Sequence, residues 1–264
     1  MTTPSLSVCA DDLGSDVRAA LDCARELQFR VVDLGATQGA VSPRELSRTG
    51  QRHLLKHLSD LGLRLGSLRG PVGGAGYADG TLGEQRLETM RGVIRLASSL
   101  RVPVVSTAPG RILGIDAEAV RARLREALCV LADDADRAGV RVAVESAGAS
   151  VDTIRALLAE LNCPWLSACC DSGAMLMQGE DPHRLGETLA GRIQLVRARD
   201  AVRGSFEAPG CEVAVGEGEL DVPRFLAALT ASGFYGDIVL SRAGGEDRTA
   251  DLVRARSEFL RHLR

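Results

Sequence analysis

With 264 residues, 32 basic against 35 acidic side chains and a formal net charge of −3, the chain has no bulk positive field for a nucleic acid or an anionic membrane. Its 45% hydrophobic and 25% charged residues suit one domain with a large core, and no apolar run reaches the ~18 residues of a membrane-crossing helix. The cysteines number 7, an odd count, and most lie inside apolar runs; with no leader-like segment at Met1-Thr2-Thr3-Pro4, a reduced, cytoplasmic setting is expected and not a disulfide framework.

Ser5 to Ala10 reads as a short first strand, followed by Asp11-Asp12. Val17, Ala20, Leu21, Ala24 and Leu27 recur at helical spacing and predict a helix over 14–27. A second strand, Phe29 to Leu34, contains Asp33. Pro43 sits just inside a helix reaching Asp60, and a third strand over 63–68 leads to Arg69 and a glycine-rich loop over 70–80. That loop lacks the lysine of a P-loop and the spacing of a dinucleotide fingerprint, so it is expected to act as a mobile lid. A helix over 82–100 and a β-branched strand over 102–107 follow. Asp116 caps a helix reaching Ala138, a strand over 140–144 ends at Glu145, and a helix covers 151–161.

Trp165 to Cys170 is the next strand, running into a polar loop at Asp171-Ser172-Gly173. Asp181-Pro182 opens a short helix that Gly191 closes, since proline is pre-organised for a first helical turn. Ile193 to Asp200 is a strand whose end carries Arg197, Arg199 and Asp200. A helix near 222–232, a strand over 238–240 ending at Ser241, and a helix over 251–263 complete the chain. Eight strand–helix alternations with no linker argue an α/β protein built as a single (β/α)8 barrel over 1–264; an open doubly wound sheet is disfavoured by that count. In such a barrel the loops after the strands form the functional face.

Several motifs then carry a resemblance. Cys169-x-Asp171-Ser172-Gly173, Glu180-Asp181-Pro182, Arg192-Ile193 with Val196 and Asp200, Gly216-Glu217-Gly218-Glu219-Leu220-Asp221, Gly233-Phe234-Tyr235-Gly236 and Leu27 to Leu34 stand in an order and spacing that resemble the xylose isomerase-like superfamily of sugar (phosphate) isomerases and epimerases. The resemblance covers nearly the whole chain. It implies four metal-holding side chains: a Glu after the fifth strand, an Asp after the sixth, a His on the seventh and a Glu on the eighth. Glu145 and Asp171 match the first two, but Arg197 stands in the histidine position and Ser241 in that of the second glutamate.

That departure has a chemical consequence. Arginine stays protonated and cannot ligate a metal, and serine is a poor substitute for a carboxylate. The family metal is therefore expected to be lost and no cofactor retained, with Arg197 lying between Glu145 and Asp171 in place of the metal's charge. Glu145 and Arg197 are the candidate catalytic residues. Asp171, Arg199, Arg69, Asp33 and Ser241 are the candidate substrate-binding residues.

Asp200 reads as a loop cap, and Cys9 as core, because no histidine is predicted on its face to activate it. His53, His57, His183 and His262 fall in predicted outer helices, and the only lysine, Lys56, does too, which excludes a Schiff-base mechanism. Three readings of function remain. One is a sugar or sugar-phosphate isomerase or epimerase-like barrel in which Glu145 moves a proton next to a carbonyl. The second is a non-catalytic binder of a small polar or anionic ligand, held by Arg69, Arg197 and Arg199, or a partner subunit. The third is a metal-independent lyase or isomerase that uses Glu145 with Arg197 as the electrophile, since an arginine can stabilise an enolate. A homodimer through outer helices is a further expectation from the resemblance.

Overall fold

The apolar runs between the helices pair side by side in parallel and close into a ring. A computed structural model describes residues 4–73, 76–110, 118–146, 150–205 and 208–263. The ring strands are β1 (Ser5–Cys9), β2 (Val31–Gly35), β3 (Arg64–Arg69), β4 (Val104–Thr107), β5 (Arg141–Glu145), β6 (Leu166–Asp171) and β7 (Ile193–Ala198), with β10 (Asp237–Leu240) last. They are ordered β1-β10-β7-β6-β5-β4-β3-β2 as a closed barrel, so β1 is bonded to both the second and the last ring strand.

The barrel reading of the sequence is correct. Two short strands absent from that reading, β8 (Asp200–Val202) and β9 (Cys211–Val213), form an antiparallel hairpin after β7. Strands this short show no alternation a sequence reader can detect.

Around the ring lie α1 (Val17–Glu26), α2 (Arg48–Leu61), α3 (Gly80–Leu100), α4 (Glu118–Ala138), α5 (Val151–Leu161), α6 (Ser172–Met177), α7 (Leu185–Thr188), α8 (Val222–Ala231) and α9 (Arg248–His262). Local capping decides where most of them start. Asp16, Ser47, Ser150, Asp221 and Asp247 each accept a backbone N–H from three residues on, satisfying donors that have no intrahelical partner. The Ser47 cap corrects the expected start near Pro43: Pro43 lies in the turn before the helix. The cap expected at Asp116 falls outside the described residues. The expected polar loop at 171–173 is instead the start of α6, because the Asp171 carboxylate accepts from Ala174 N and the following Ala-Met-Leu-Met run favours helix.

Alternation along the strands sorts the core into two. Val8, Val32, Val105, Val142, Val144, Ala168, Cys170, Val196, Ile238 and Leu240 face the helices and join the large outer cluster. Their neighbours Cys9, Val104, Ala143, Cys169, Leu195 and Val239 form a separate small cluster, the filling of the barrel itself. Burial pushes the Cys9 thiol up to about 12, so it stays protonated at neutral pH and acts as packing. At the N-terminal end of the barrel Arg64 Nη1 and Nη2 donate to Asp237 at 3.0 and 2.7 Å. Above the apolar layer the inward positions turn polar, and that is where the site begins. No described helix is long and apolar enough to cross a membrane.

Candidate functional site

Two residues beyond the apolar layer on β4 to β7 come Ser106, Glu145, Asp171 and Arg197, with Arg69 on β3 level with Ser106, while Asp33 on β2 is level with Cys9 of that layer. The register pairs Asp171 on β6 with Arg197 on β7, and a shift at Ala168/Cys169 brings them level. Arg197 nevertheless turns away from Asp171. Its Nε donates to Glu145 Oε1 at 3.2 Å, its Nη1 to Asp33 Oδ1 at 3.1 Å, and its Nη2 to Ser106 Oγ at 3.1 Å. The Arg197 side chain is only 4% exposed and that of Asp33 is 0% exposed. Ser67 Oγ adds a hydrogen bond to Asp33 Oδ2 at 2.6 Å.

The expected placement of Arg197 between Glu145 and Asp171 is thus half right. Asp33 takes the second side, because it is the carboxylate that burial would otherwise leave uncompensated. Burial alone would raise the Asp33 pKa; the charges of Arg197 and Arg69 outweigh it and hold the carboxyl below its ordinary value. Burial likewise opposes the Arg197 charge, and Asp33 and Glu145 overcome it, so its pKa is raised and it stays cationic.

Asp171 is served instead by Arg199, whose Nε and Nη2 reach its two oxygens at 3.1 and 2.7 Å in a fork-to-fork pair. The Arg199 Nη1 reaches Glu212 Oε2 on β9 at 2.9 Å. Glu212 in turn faces Arg242, at 3.5 Å, and Arg242 Nε donates to Asp251 Oδ2 at 2.8 Å. A chain of alternating charges therefore runs around one side of the mouth. On the other side Arg69 is paired with Asp11, which also accepts from Gly35 N at 3.0 Å. Ser241 Oγ donates to Asp12 Oδ2 at 2.7 Å and ties the last strand to the first.

Several sequence expectations change here. Arg69, Arg197 and Arg199 were expected to draw an anion, yet each already faces a carboxylate. Asp33 is sealed beneath the mouth and does not line it, and Ser241 serves a strand junction. Glu145 keeps the expected place at the mouth, 13% exposed, and among the described residues its Oε2 receives no hydrogen bond. Asp12, Glu212, Arg242 and Asp251 were missed. Glu212 sits on the undetected hairpin, while the Asp11-Asp12 pair directly after β1 was a usable signal.

The reading of Asp200 as a loop cap holds. It is 1% exposed and accepts N–H bonds from Ala201, Gly216, Gly218 and Leu220. Gly218 is required because a side chain there would strike the Asp200 carboxylate.

The described part of the glycine-rich loop is fastened down, contrary to the expected lid. Arg86 donates to the carbonyls of Gly73 and Pro71 at 2.6 and 2.7 Å and also to that of Ala108. Its guanidinium stacks 5.2 Å from the Tyr77 ring centroid, and Tyr77 Oη is 2.6 Å from Thr107 Oγ1. Residues 74–75 lie outside the described set. Arg86→Met is expected to cost about 2–3 kcal/mol, since hydrogen bonds from a charged donor are the stronger kind. Hydrogen exchange should then quicken at 71–77 and 108–110 and stay unchanged in α8; uniform protection across both would refute the pinning role.

Among the described residues no group of three or more His, Cys, Asp or Glu side chains is arranged to hold a metal ion. His53 and His57 lie on α2 and His262 on α9, as expected, while His183 belongs to a short turn, bonded to Asp181 at 2.6 Å. Lys56 is exposed on α2 and paired with Asp60 at 2.8 Å.

A family model described as xylose isomerase-like TIM barrel matches residues 21–263. Among solved structures, a xylose isomerase domain protein from Planctomyces limnophilus superposes with a TM-score of 0.83 at 19% identity, covering 100% of this chain and 97% of that one. An L-ribulose 3-epimerase gives 0.79 at 18% identity over 98% and 94% of the two chains. A xylose isomerase-like TIM barrel protein from Mycobacterium smegmatis in complex with magnesium gives 0.78 at 17% identity, over 99% and 97%. At such identities these structures show a shared fold. No curated protein matches the sequence closely enough to lend it an activity.

Proposed function

The chain belongs to the xylose isomerase-like TIM barrel family, and on that premise we propose that its mouth binds a small, uncharged, polyhydroxylated molecule, with the Arg197 guanidinium in the place of a resident metal. One observation carries this reading: Arg197 is buried and spends all three of its nitrogens on Asp33, Glu145 and Ser106. The donor set does not fit a divalent cation. Glu145 and Asp171 are each bonded to a guanidinium, no imidazole replaces Arg197, and a cation beside them would meet two fixed positive charges. A phosphate fits the mouth no better, because Arg69, Arg199 and Arg242 already face carboxylates. Hydroxyl groups can donate to free carboxylate oxygens and accept from unused N–H groups, which suits a neutral polyol.

Chemistry at this mouth is limited by the same geometry. Arg197 cannot turn outward to polarise a carbonyl without stranding Asp33. We therefore favour binding without turnover. Calorimetry with ketohexoses and polyols, in excess EDTA, tests it: binding should persist in EDTA, survive Glu145→Gln within about threefold (~0.7 kcal/mol), and give no isomerised product. Micromolar Mn²⁺ binding abolished by Glu145→Ala would overturn the metal-free reading.

A second reading rests on Glu145 Oε2, which receives no hydrogen bond among the described residues. That oxygen could take a proton from carbon next to a carbonyl, with Arg69, which among the described residues bonds Asp11 through Nη2, polarising the oxygen. Under that reading Glu145→Gln removes turnover, by about 100-fold or more, and leaves affinity in place.

A further inference from the structure

We propose that the opposite end of the barrel carries a second ligand site, a pocket for a phosphate group built on Arg141 and Arg192. A cavity of about 350 Å³ opens there, at the feet of β5, β6 and β7. That volume lies at the small end of the range for ligand pockets and holds about a dozen waters. It exceeds the needs of a bare phosphate and fits a phosphomonoester.

The charge pattern of this pocket is the reverse of the mouth's. Arg141 opens β5 and Arg192 directly precedes β7, and both line the cavity. Arg141 Nη1 donates to the neutral Gln194 Oε1 at 3.2 Å, and Arg192 Nη1 to the Leu158 carbonyl at 3.0 Å. Neither has a carboxylate partner among the described residues, and no acidic side chain lines the cavity. The other polar groups there, on Asn162, Ser167 and Gln194, can bond oxygen. Two uncompensated guanidiniums over a concave, acid-free wall attract an oxyanion, and their planar forks match its oxygens.

The pocket is separated from the mouth by the length of a strand, ~15–20 Å, so its test is independent of the mouth ligand. The full chain is titrated with inorganic phosphate, fructose 6-phosphate and fructose at constant ionic strength. At twenty-fold excess over Kd, either phosphate should raise Tm by about 3–6 °C. Fructose should not compete with phosphate. Arg192→Gln should weaken phosphate binding at least about tenfold, Arg192→Lys less, because it keeps the charge and loses the fork. Arg141→Gln with Arg192→Gln should abolish it, and Arg69→Gln should leave it intact. Tighter binding of fructose 6-phosphate than of inorganic phosphate identifies a phosphomonoester; the converse identifies the free ion. A wild-type chain blind to both phosphates overturns the proposal. So does a response that survives the double variant, or one that Arg69→Gln removes, which would place the anion at the mouth.

Discussion

Replacing Arg197 with leucine is expected to cost about 3–5 kcal/mol of folding stability, because removing one side of a buried ion pair leaves the other charge uncompensated. Here it leaves two, Asp33 and Glu145, and Asp33 is fully buried. The pH dependence gives a sharper signature. In the wild type Asp33 is held below its ordinary value. Its contribution is therefore present above the unfolded value of about 3.9 and is lost only as pH falls through the lower folded value. In Arg197→Leu the burial that raises the Asp33 pKa no longer faces its main opponent. The sign reverses: the buried carboxylate now destabilises at neutral pH, and the penalty fades as pH falls through the raised folded value. The gap in urea midpoint between wild type and variant should narrow from about pH 7 to about pH 5. Adding Asp33→Asn and Glu145→Gln should recover most of the loss. A constant gap, with no rescue, would mean that Arg197 acts through packing and not as a counter-ion.

Asp200→Ala is the second large effect, expected at about 3–5 kcal/mol, since each buried donor left without a partner costs ~1–3 kcal/mol and the losses overlap. Four backbone N–H groups converge on this carboxylate. The damage should concentrate at 214–220, the segment that carries the chain from the hairpin back to α8. Hydrogen exchange should speed up there before it changes in β4 or β5. Asp200→Asn should fall between wild type and alanine, because its amide keeps one acceptor oxygen and loses the other. Loss of exchange protection spread evenly over the barrel would reject the local role.

These two residues also mark how far the sequence could be read. Strand–helix alternation reports burial on both faces of a strand, so the barrel and most element boundaries were legible. Position 200 reads as a cap because an aspartate after a charged strand end, followed by a glycine-rich turn, has few other uses. Position 197 was legible as a departure from the histidine that the resemblance implies, and Glu145 as one partner, but Asp33 was not. Asp33 on β2 and Arg197 on β7 lie three strands apart around the ring and meet across the lumen, a pairing that strand periodicity does not encode. The Arg199–Glu212–Arg242 chain was invisible for another reason: it depends on a hairpin whose three-residue strands carry no periodic signal. The lid assigned to the glycine-rich loop failed because glycine content reports what a backbone is able to do, not that an arginine from α3 holds three of its neighbouring carbonyls.

The Arg197–Asp33 bond also sets what a single change at position 197 could do. An Arg197→His variant would offer an imidazole to a cation, yet it would leave the sealed Asp33 carboxylate without its guanidinium. Neutralising Asp33 beforehand removes that obstacle, so the order of the two substitutions decides whether the intermediate chain carries a stranded buried charge.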